Sequence, residues 1–181
     1  MKSFKYIERF FKYKSALDIV SKLGKVDLKE INECYSMFDF LRNTPVYSNK
    51  DNVVVFDVGC GKRPTFSLMS AHFIKNWEFI AIDPNLEIKD YRTERLSCYK
   101  CKVEEFDFSK YTNRIKIEIY IHSHAPAINV FDYLFIMPCC IDNLPKNILG
   151  FFKIDTNIWK NKNKIYYYDL RRKNENGKRY N

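Results

Sequence analysis

The first fifty residues repeat apolar positions with the period of an α-helix. Residues 4–23 place apolar side chains at helical spacing, among them Ile7, Phe10, Phe11, Leu17, Val20 and Leu23. Lys and Glu lie between them, so the pattern predicts one amphipathic helix that ends at Gly24. Asp27 followed by Glu30 resembles a capping box and predicts a second helix to about residue 42. The polar residues 44–52 then form a linker.

From residue 52 the pattern changes to short apolar runs typical of buried strands. Residues 52–57 and 79–83 flank a helical pattern at residues 65–75, which predicts a βαβ unit with parallel strands. Further strands are predicted at residues 97–103, 115–122, 133–137, 151–154 and 165–170. The predicted fold class is α/β: a Rossmann-like, mostly parallel sheet flanked by helices, with an N-terminal helical extension. The expected divisions are the extension (1–50), the Rossmann-like domain (51–172) and a basic flexible tail (173–181).

Length and composition narrow the class of protein. A chain of 181 residues suffices for one domain with a buried core, and 46% hydrophobic residues exclude a disordered chain. Five charged side chains interrupt the first thirteen residues, unlike a secretory signal. The longest uncharged apolar run, residues 133–141, has about half the length of a membrane-spanning helix. We therefore expect an intracellular protein, not associated with membranes, whose six cysteines are free thiols.

The net charge of +9 is concentrated at the two ends of the chain. Residues 1–25 carry seven Lys or Arg and two acids, residues 160–181 carry eight and two, and the remainder has a net charge of −2. Clustered basic side chains gain affinity for phosphate backbones by counterion release, which favours a nucleic acid as partner. Tyr166, Tyr167 and Tyr168 offer stacking surface for RNA near the tail, or belong to the core of the last strand. Solvated faces and a solubilising tail explain the charge equally well.

The most informative motif follows the first predicted strand. It reads Phe56-Asp57-Val58-Gly59-Cys60-Gly61, and the second strand ends at Asp83, 22 residues after Gly61. The two glycines let the backbone turn sharply and approach a ligand closely. Asp83 lies near the spacing at which a carboxylate accepts hydrogen bonds from a ribose. The motif therefore predicts a nucleoside ligand at the carboxyl edge of the sheet.

Three details distinguish this glycine bend from other nucleotide-binding turns. Asp57 places a carboxylate beside the turn, which suits a cationic amino group and repels a pyrophosphate. Pro64 stands where a dinucleotide fingerprint has its third glycine. Lys62 is followed by Arg63, so the P-loop pattern fails as well. An oxidoreductase with a nucleotide cofactor is therefore disfavoured.

The glycine motif, together with Ile80-Ala81-Ile82-Asp83, resembles the first two motifs of class I S-adenosylmethionine-dependent methyltransferases. The resemblance implies S-adenosylmethionine as cofactor and methyl transfer as activity. It also implies that Asp57 and the glycines of the bend contact the methionine end and that Asp83 binds the ribose. Val103 and Glu104 match the positions that flank the adenine in this family.

The residues after the fourth and fifth strands are candidates for the methyl-acceptor side, because ligands of open α/β sheets bind at the carboxyl ends of strands. His122 or His124 is a candidate general base, although either side chain is equally suited to capping the strand. A histidine loop followed by a strand that ends in Cys139-Cys140 resembles a branch of the family that includes transfer-RNA methyltransferases. Pro138-Cys139 also resembles the catalytic Pro-Cys of cytosine-5 methyltransferases, whereas buried structural cysteines are the ordinary alternative.

A zinc site is the remaining alternative, because Cys98, Cys101 and the Cys139-Cys140 pair make four thiolates available. If residues 97–103 form a strand, positions three apart point to opposite faces, so we expect no metal. The sequence thus predicts a methyltransferase that acts on RNA. It leaves open whether a protein partner completes the site. The alternative function is a catalytically inactive protein of the same fold, serving as a nucleic-acid-binding or regulatory subunit.

Overall fold

A seven-stranded sheet forms the centre of the computed structural model, which describes residues 5–25, 27–49, 52–87, 90–91, 93–126, 131–139, 150–158 and 163–171. The strands are β1 (Val53–Val58), β2 (Glu78–Ile82), β3 (Leu96–Tyr99), β4 (Ile115–Ile121), β5 (Tyr133–Met137), β6 (Phe151–Ile154) and β7 (Lys164–Asp169). The described α-helices are α1 (Lys5–Phe11), α2 (Ala16–Leu23), α3 (Leu28–Leu41) and α4 (Thr65–Phe73). The predicted tail, residues 173–181, lies outside the described residues.

The strand order is β3-β2-β1-β4-β5-β7-β6, and the first five strands in this order are parallel. The chain runs outward from β1 to β3 and then returns to place β4 on the other side of β1. The strand order therefore reverses between β1 and β4, and in open α/β sheets ligands bind in the crevice at such a point. The predicted α/β, Rossmann-like fold class is confirmed.

Strand β1 is buried on both faces of the sheet. Its six residues are at most 2% exposed. Val53 and Val55 belong to the core cluster that the helices cover, while Val54 and Phe56 belong to the cluster on the opposite side. Alternation of side chains along a strand explains this division.

Aromatic side chains cover the second face of the sheet. Phe106, Phe108, Tyr111 and Phe131 surround Phe56 there, with ring centroids 5.1–6.0 Å apart. Among the described residues, short 3₁₀ turns rather than α-helices carry the packing on this side.

The N-terminal pattern folds as two helices, so the prediction of one helix over residues 4–23 was wrong. The chain turns between α1 and α2, where Tyr13 stacks on Phe73 with ring centroids 3.8 Å apart. Phe10 and Ile19, one from each helix, are both fully buried. Local periodicity does not reveal this turn, because tertiary packing imposes it.

Helix α3 is buried almost all round, with ten of its fourteen residues inaccessible. It packs against α1, α4 and β4. Asp27 caps it as predicted, since its carboxylate accepts a hydrogen bond from the Lys29 N–H at 2.8 Å. The predicted capping-box partner Glu30 instead binds Arg63 and the hydroxyl of Thr65. Helix α3 thereby presents acidic side chains to the carboxyl edge of the sheet.

Antiparallel pairing closes the far side of the sheet, where β7 lies between β5 and β6. Tyr167 and Tyr168 are 6% and 4% exposed. These two tyrosines therefore belong to the core of the last strand and do not offer a stacking surface for RNA. No helix within the described ranges is long and apolar enough to span a membrane.

Candidate active site

Two cavities open at the carboxyl edge of the sheet, where β1, β2 and β4 end. One measures about 380 Å³ and is called the acidic cavity because Glu30, Glu33 and Asp57 line it. The other measures about 500 Å³ and is called the Asp83 cavity after the aspartate in its wall. Gly59 and His122 line both cavities. The cavities therefore share part of their walls at these two residues, and together they are called the cleft.

The glycine bend depends on backbone conformations that favour glycine. Gly59 and Gly61 have φ angles of 68° and 75°, in the left-handed region that a Cβ disfavours. The Gly59 N–H donates to the Ile82 carbonyl at 2.8 Å, which ties the bend to β2. A Cβ on Gly59 would lie 1.9 Å from Ser123 Oγ, whereas one on Gly61 would meet nothing within 4 Å. The close approach at Gly59 is thus made by the loop after β4.

Asp57 is the most buried acid of the cleft, at 2% exposure. One of its oxygens accepts hydrogen bonds from the Ser67 hydroxyl at 2.9 Å and the Ser67 N–H at 3.3 Å. Burial nevertheless raises the pKa of Asp57 to about 7, because desolvation outweighs these hydrogen bonds. A cation in the acidic cavity would stabilise the ionised form of this carboxyl group.

Asp83 links the end of β2 to the glycine bend. Its two oxygens accept hydrogen bonds from the Gly61 N–H at 2.8 Å and the Asn85 N–H at 2.7 Å. A carboxylate oxygen has two lone pairs, so each can accept a further hydrogen bond from a ligand hydroxyl. Asp83 therefore holds the bend and keeps acceptor capacity toward its cavity.

The predicted adenine-flanking residues also lie in the wall of the Asp83 cavity. Both residues belong to the 3₁₀ turn Val103–Glu105, and the strand predicted over residues 97–103 ends earlier, at Tyr99. Val103 is buried and Glu104 is exposed. The pair thus offers one apolar and one acidic contact at the side of this cavity.

His122 follows β4 with a φ of 53°, in the left-handed region. Its N–H donates to the Met137 carbonyl at 2.8 Å, which ties it to the end of β5. Its Nε2 lies 3.3 Å from Oε2 of Glu33, and the two side chains are 15% and 7% exposed. His122 is thus held beside a buried carboxylate where the two cavities adjoin.

His124 occupies a different environment. It is exposed, it lines the Asp83 cavity, and its Nε2 lies 3.2 Å from Cys139 Sγ. Cys139 is half-buried and follows Pro138 at the end of β5. The structure thus brings His124 and Cys139 together, while Cys140 lies outside the described residues.

Two acidic residues of the cleft were missed by the sequence analysis as site residues. Glu30 and Glu33 reach the acidic cavity from α3, which precedes the first strand. A helix that is buried nearly all round has no polar stripe, so no local pattern marks these two acids as functional.

Several cysteines lie near the cleft within the described residues, among them Cys34, Cys60 and Cys139. No group of three or more His, Cys, Asp or Glu suited to hold an ion occurs in the part of the chain that the structure describes. Strand β3 ends at Tyr99, so Cys101 lies beyond it and the strand geometry that was held against a zinc site at Cys98 and Cys101 does not apply. Burial raises the pKa of Cys34 and Cys60 well above 9.0, so both wall thiols are protonated at neutral pH.

No model of a known protein family matches the chain, and no curated protein matches it in sequence. One solved structure with a similar fold is a precorrin-6y C5,15-methyltransferase from Geobacter metallireducens GS-15. It is 13% identical, with a TM-score of 0.46, and the match covers 74% of this chain and 83% of that one. A likeness this weak does not bear on activity.

Proposed function

We propose that the chain is an S-adenosylmethionine-dependent methyltransferase. The nucleoside of the cofactor would lie in the Asp83 cavity and its amino-acid end in the acidic cavity. One observation carries the proposal: two adjoining cavities share one glycine bend, and each has a buried aspartate near the end of a parallel strand. Asp57 and Asp83 are these aspartates, 2% and 7% exposed.

The polar groups of the acidic cavity suit an amino acid. Asp57 and Glu33 supply negative charge for an ammonium group, and Lys62 in the same wall supplies positive charge for a carboxylate. Glu33 Oε1 is buried and makes no hydrogen bond with the described residues. Lys29 Nζ lies 3.9 Å from this oxygen, beyond hydrogen-bond distance, so a bound ammonium would supply the donor that it lacks.

A dinucleotide fits the same cleft less well. Asp57 and Glu33 would repel a pyrophosphate at the bend. Helix α4 begins after Pro64 without the third glycine of the dinucleotide fingerprint. The dinucleotide-binding order continues β5 with a further strand β6, whereas here antiparallel β7 occupies that place.

The loops after β4 and β5 are proposed as the methyl-acceptor side. When bound, S-adenosylmethionine supplies an electrophilic methyl group. His122 and His124 are the candidate general bases, and Pro138 and Cys139 would lie on the substrate side of the cleft.

The proposed cofactor site can be tested by calorimetric titration with S-adenosylmethionine and S-adenosylhomocysteine. Asp83→Ala should weaken binding at least about tenfold, because it removes a charged acceptor and the anchor of the glycine bend. Asp107→Ala is the matched control, since Asp107 is an exposed acid outside the cleft. No binding by the wild type at high micromolar concentration, or equal affinity of the two variants, would refute the proposed site.

RNA is the proposed methyl acceptor, supported by the basic excess at both ends of the chain. Binding to basic clusters should weaken steeply with salt, because each phosphate contact releases counterions. Filter binding of total cellular RNA across a salt series measures this slope. A flat dependence would contradict the RNA proposal while leaving the cofactor site untouched.

Catalysis itself can be tested with methyl-labelled cofactor and total cellular RNA. Transfer of label to RNA supports the enzyme. Cofactor binding without transfer would instead favour the alternative of an inactive subunit of the same fold, or an enzyme that needs a protein partner to complete its site.

A further inference from the structure

We propose that the chain forms a two-fold symmetric dimer in which strand β6 pairs antiparallel with β6 of a second copy. The inference is independent of the proposed methyltransferase function. It rests on the side chains and the backbone groups that β6 presents at one edge of the sheet.

Strand β6 carries exposed apolar side chains on both of its faces. Phe151, Phe152 and Ile154 are each more than half exposed. Phe152 and Ile154 share one face of the strand and Phe151 lies on the other, because side chains alternate along a strand. The strand at the opposite edge of the sheet, β3, has no apolar side chain exposed to this degree. An edge with the character of β6 is a template for another strand, which would cover apolar side chains on both faces.

The backbone of β6 has hydrogen-bonding groups that point away from the sheet. In an antiparallel pair, residues that exchange hydrogen bonds with the partner alternate with residues whose N–H and C=O point outward. The Asp155 N–H donates to the Asn163 carbonyl at 2.7 Å, so these two residues form a hydrogen-bonded pair. In the β6–β7 register the odd-numbered residues of β6 therefore bind β7, and the backbone groups of Phe152 and Ile154 point outward. No described residue forms a hydrogen bond with these outward groups.

Symmetry restricts how β6 can pair with itself. A two-fold axis perpendicular to the sheet keeps each face on its own side, so opposite residues must have side chains on the same face. Two registers are centred on the interior of the strand. One places Phe152 opposite Phe152 of the second copy, and the other places Lys153 opposite Lys153. Like charges directly opposite destabilise a sheet, whereas an aromatic pair stabilises it, so the charges select the register centred on Phe152.

This register is complementary to itself. The Phe152 N–H of each copy donates to the Phe152 carbonyl of the other, and the two rings meet on one face of the extended sheet. On the other face Lys153 lies opposite Phe151 of the second copy, which suits a cation–π contact. Lys153 already approaches an aromatic ring in its own chain, with Nζ 6.0 Å from the centroid of Phe40. The lysine therefore does not repel a second strand, as lysines on edge strands can.

A second copy suits this edge better than a nucleic acid does. A nucleic acid has no strand backbone to pair with the outward groups, and it would not cover Phe151 and Phe152 together, because they lie on opposite faces. The two partners also differ in their dependence on salt. Each copy has a net charge of +9, so repulsion opposes the dimer and added salt should not weaken it. Nucleic-acid binding weakens steeply with salt.

Sedimentation velocity of the nuclease-treated chain over a concentration series tests the dimer. We expect a species with the mass of two chains that grows with concentration and persists at higher salt. Phe152→Lys places like charges opposite each other at the axis and removes the aromatic pair, so it should raise the Kd of the dimer at least about tenfold.

Leu17→Lys is the matched control for this variant. It adds the same charge at an exposed leucine of α2, which packs against α1 and α4, and it should leave the Kd unchanged. A monomer at every concentration, association that disappears at higher salt, or equal Kd values for the two variants would overturn the proposal.

Cysteine cross-linking tests the register and also decides the question if Phe152→Lys fails to fold. Opposite residues of a hydrogen-bonded antiparallel pair have Cα atoms about 5.5 Å apart, within reach of a disulfide. Phe152→Cys should therefore give a covalent dimer on mild oxidation, seen by non-reducing electrophoresis above the background of the six native cysteines. Lys153→Cys is the matched control, because the register separates Lys153 from its own copy by about 8 Å, beyond that reach. Cross-linking of Lys153→Cys as strong as that of Phe152→Cys would overturn the register.

Discussion

Replacing Gly59 by alanine should destabilise the fold for two separate reasons. The backbone has a φ of 68°, and a left-handed conformation costs an L-residue about 1–2 kcal/mol. The new Cβ would also lie 1.9 Å from Oγ and 2.8 Å from Cβ of Ser123. Overpacking of this kind costs about 1–3 kcal/mol. We therefore expect Gly59→Ala to lower the free energy of unfolding by about 2–5 kcal/mol.

Gly61 provides the matched control for the backbone cost. It belongs to the same bend and has a φ of 75°, and a Cβ on it would meet nothing within 4 Å. Alanine at this position should therefore cost only about 1–2 kcal/mol.

Urea unfolding followed by far-UV circular dichroism measures these differences. Ser123→Gly removes both clashing atoms but also the hydrogen bond that Ser123 Oγ accepts from the Ala125 N–H at 3.1 Å. Its effect should therefore be about 1–3 kcal/mol more favourable in the Gly59→Ala background than in the wild type. Equal destabilisation by Gly59→Ala and Gly61→Ala would refute the steric argument. An equal effect of Ser123→Gly in the two backgrounds would refute it independently.

The other predictions concern buried carboxyl groups. Burial raises the pKa of Asp57 from 3.8 to about 7, so the folded state retains a proton that the unfolded chain releases. The free energy of unfolding should therefore fall as the pH rises from about 4 to 7. Urea titrations of Asp57→Asn should lack this part of the pH dependence. The same change of unfolding free energy with pH in wild type and Asp57→Asn would contradict this prediction. Tyr6→Phe removes a buried hydrogen bond to Asp155 and should cost about 1–3 kcal/mol. A loss of less than about 0.5 kcal/mol in the same assay would show that water replaces the phenol.

The sheet was predictable from the sequence because its signals are local. The β-branched run of β1 and the apolar run of β2 each fill both faces of a parallel sheet, and few other structures accommodate such runs. The acids that follow were equally predictable, since Asp57 and Asp83 come at fixed distances from the glycines. The structure brings them to two adjoining cavities beside one bend.

Long-range packing was not predictable from the sequence. The turn at Tyr13 depends on Phe73, sixty positions further along the chain. The close approach of Ser123 to Gly59 depends on the path of the loop after β4. Glu33 reaches His122 only because α3 packs across the edge of the sheet. Each contact joins residues whose separation in sequence conceals the pairing.

Helix α3 couples the stability of the fold to the chemistry of the cleft. Ser36 donates a hydrogen bond to Asp155 at 2.6 Å, which anchors the helix to the loop after β6. Glu33 lies one turn earlier and contacts His122 after β4. Burial of a carboxylate is costly, but turning α3 to bring Glu33 to solvent would expose apolar side chains of the same helix, since ten of its fourteen residues are buried. The Ser36–Asp155 hydrogen bond adds to this packing. The acidity of the cavity thus depends on the packing of α3 against the rest of the fold.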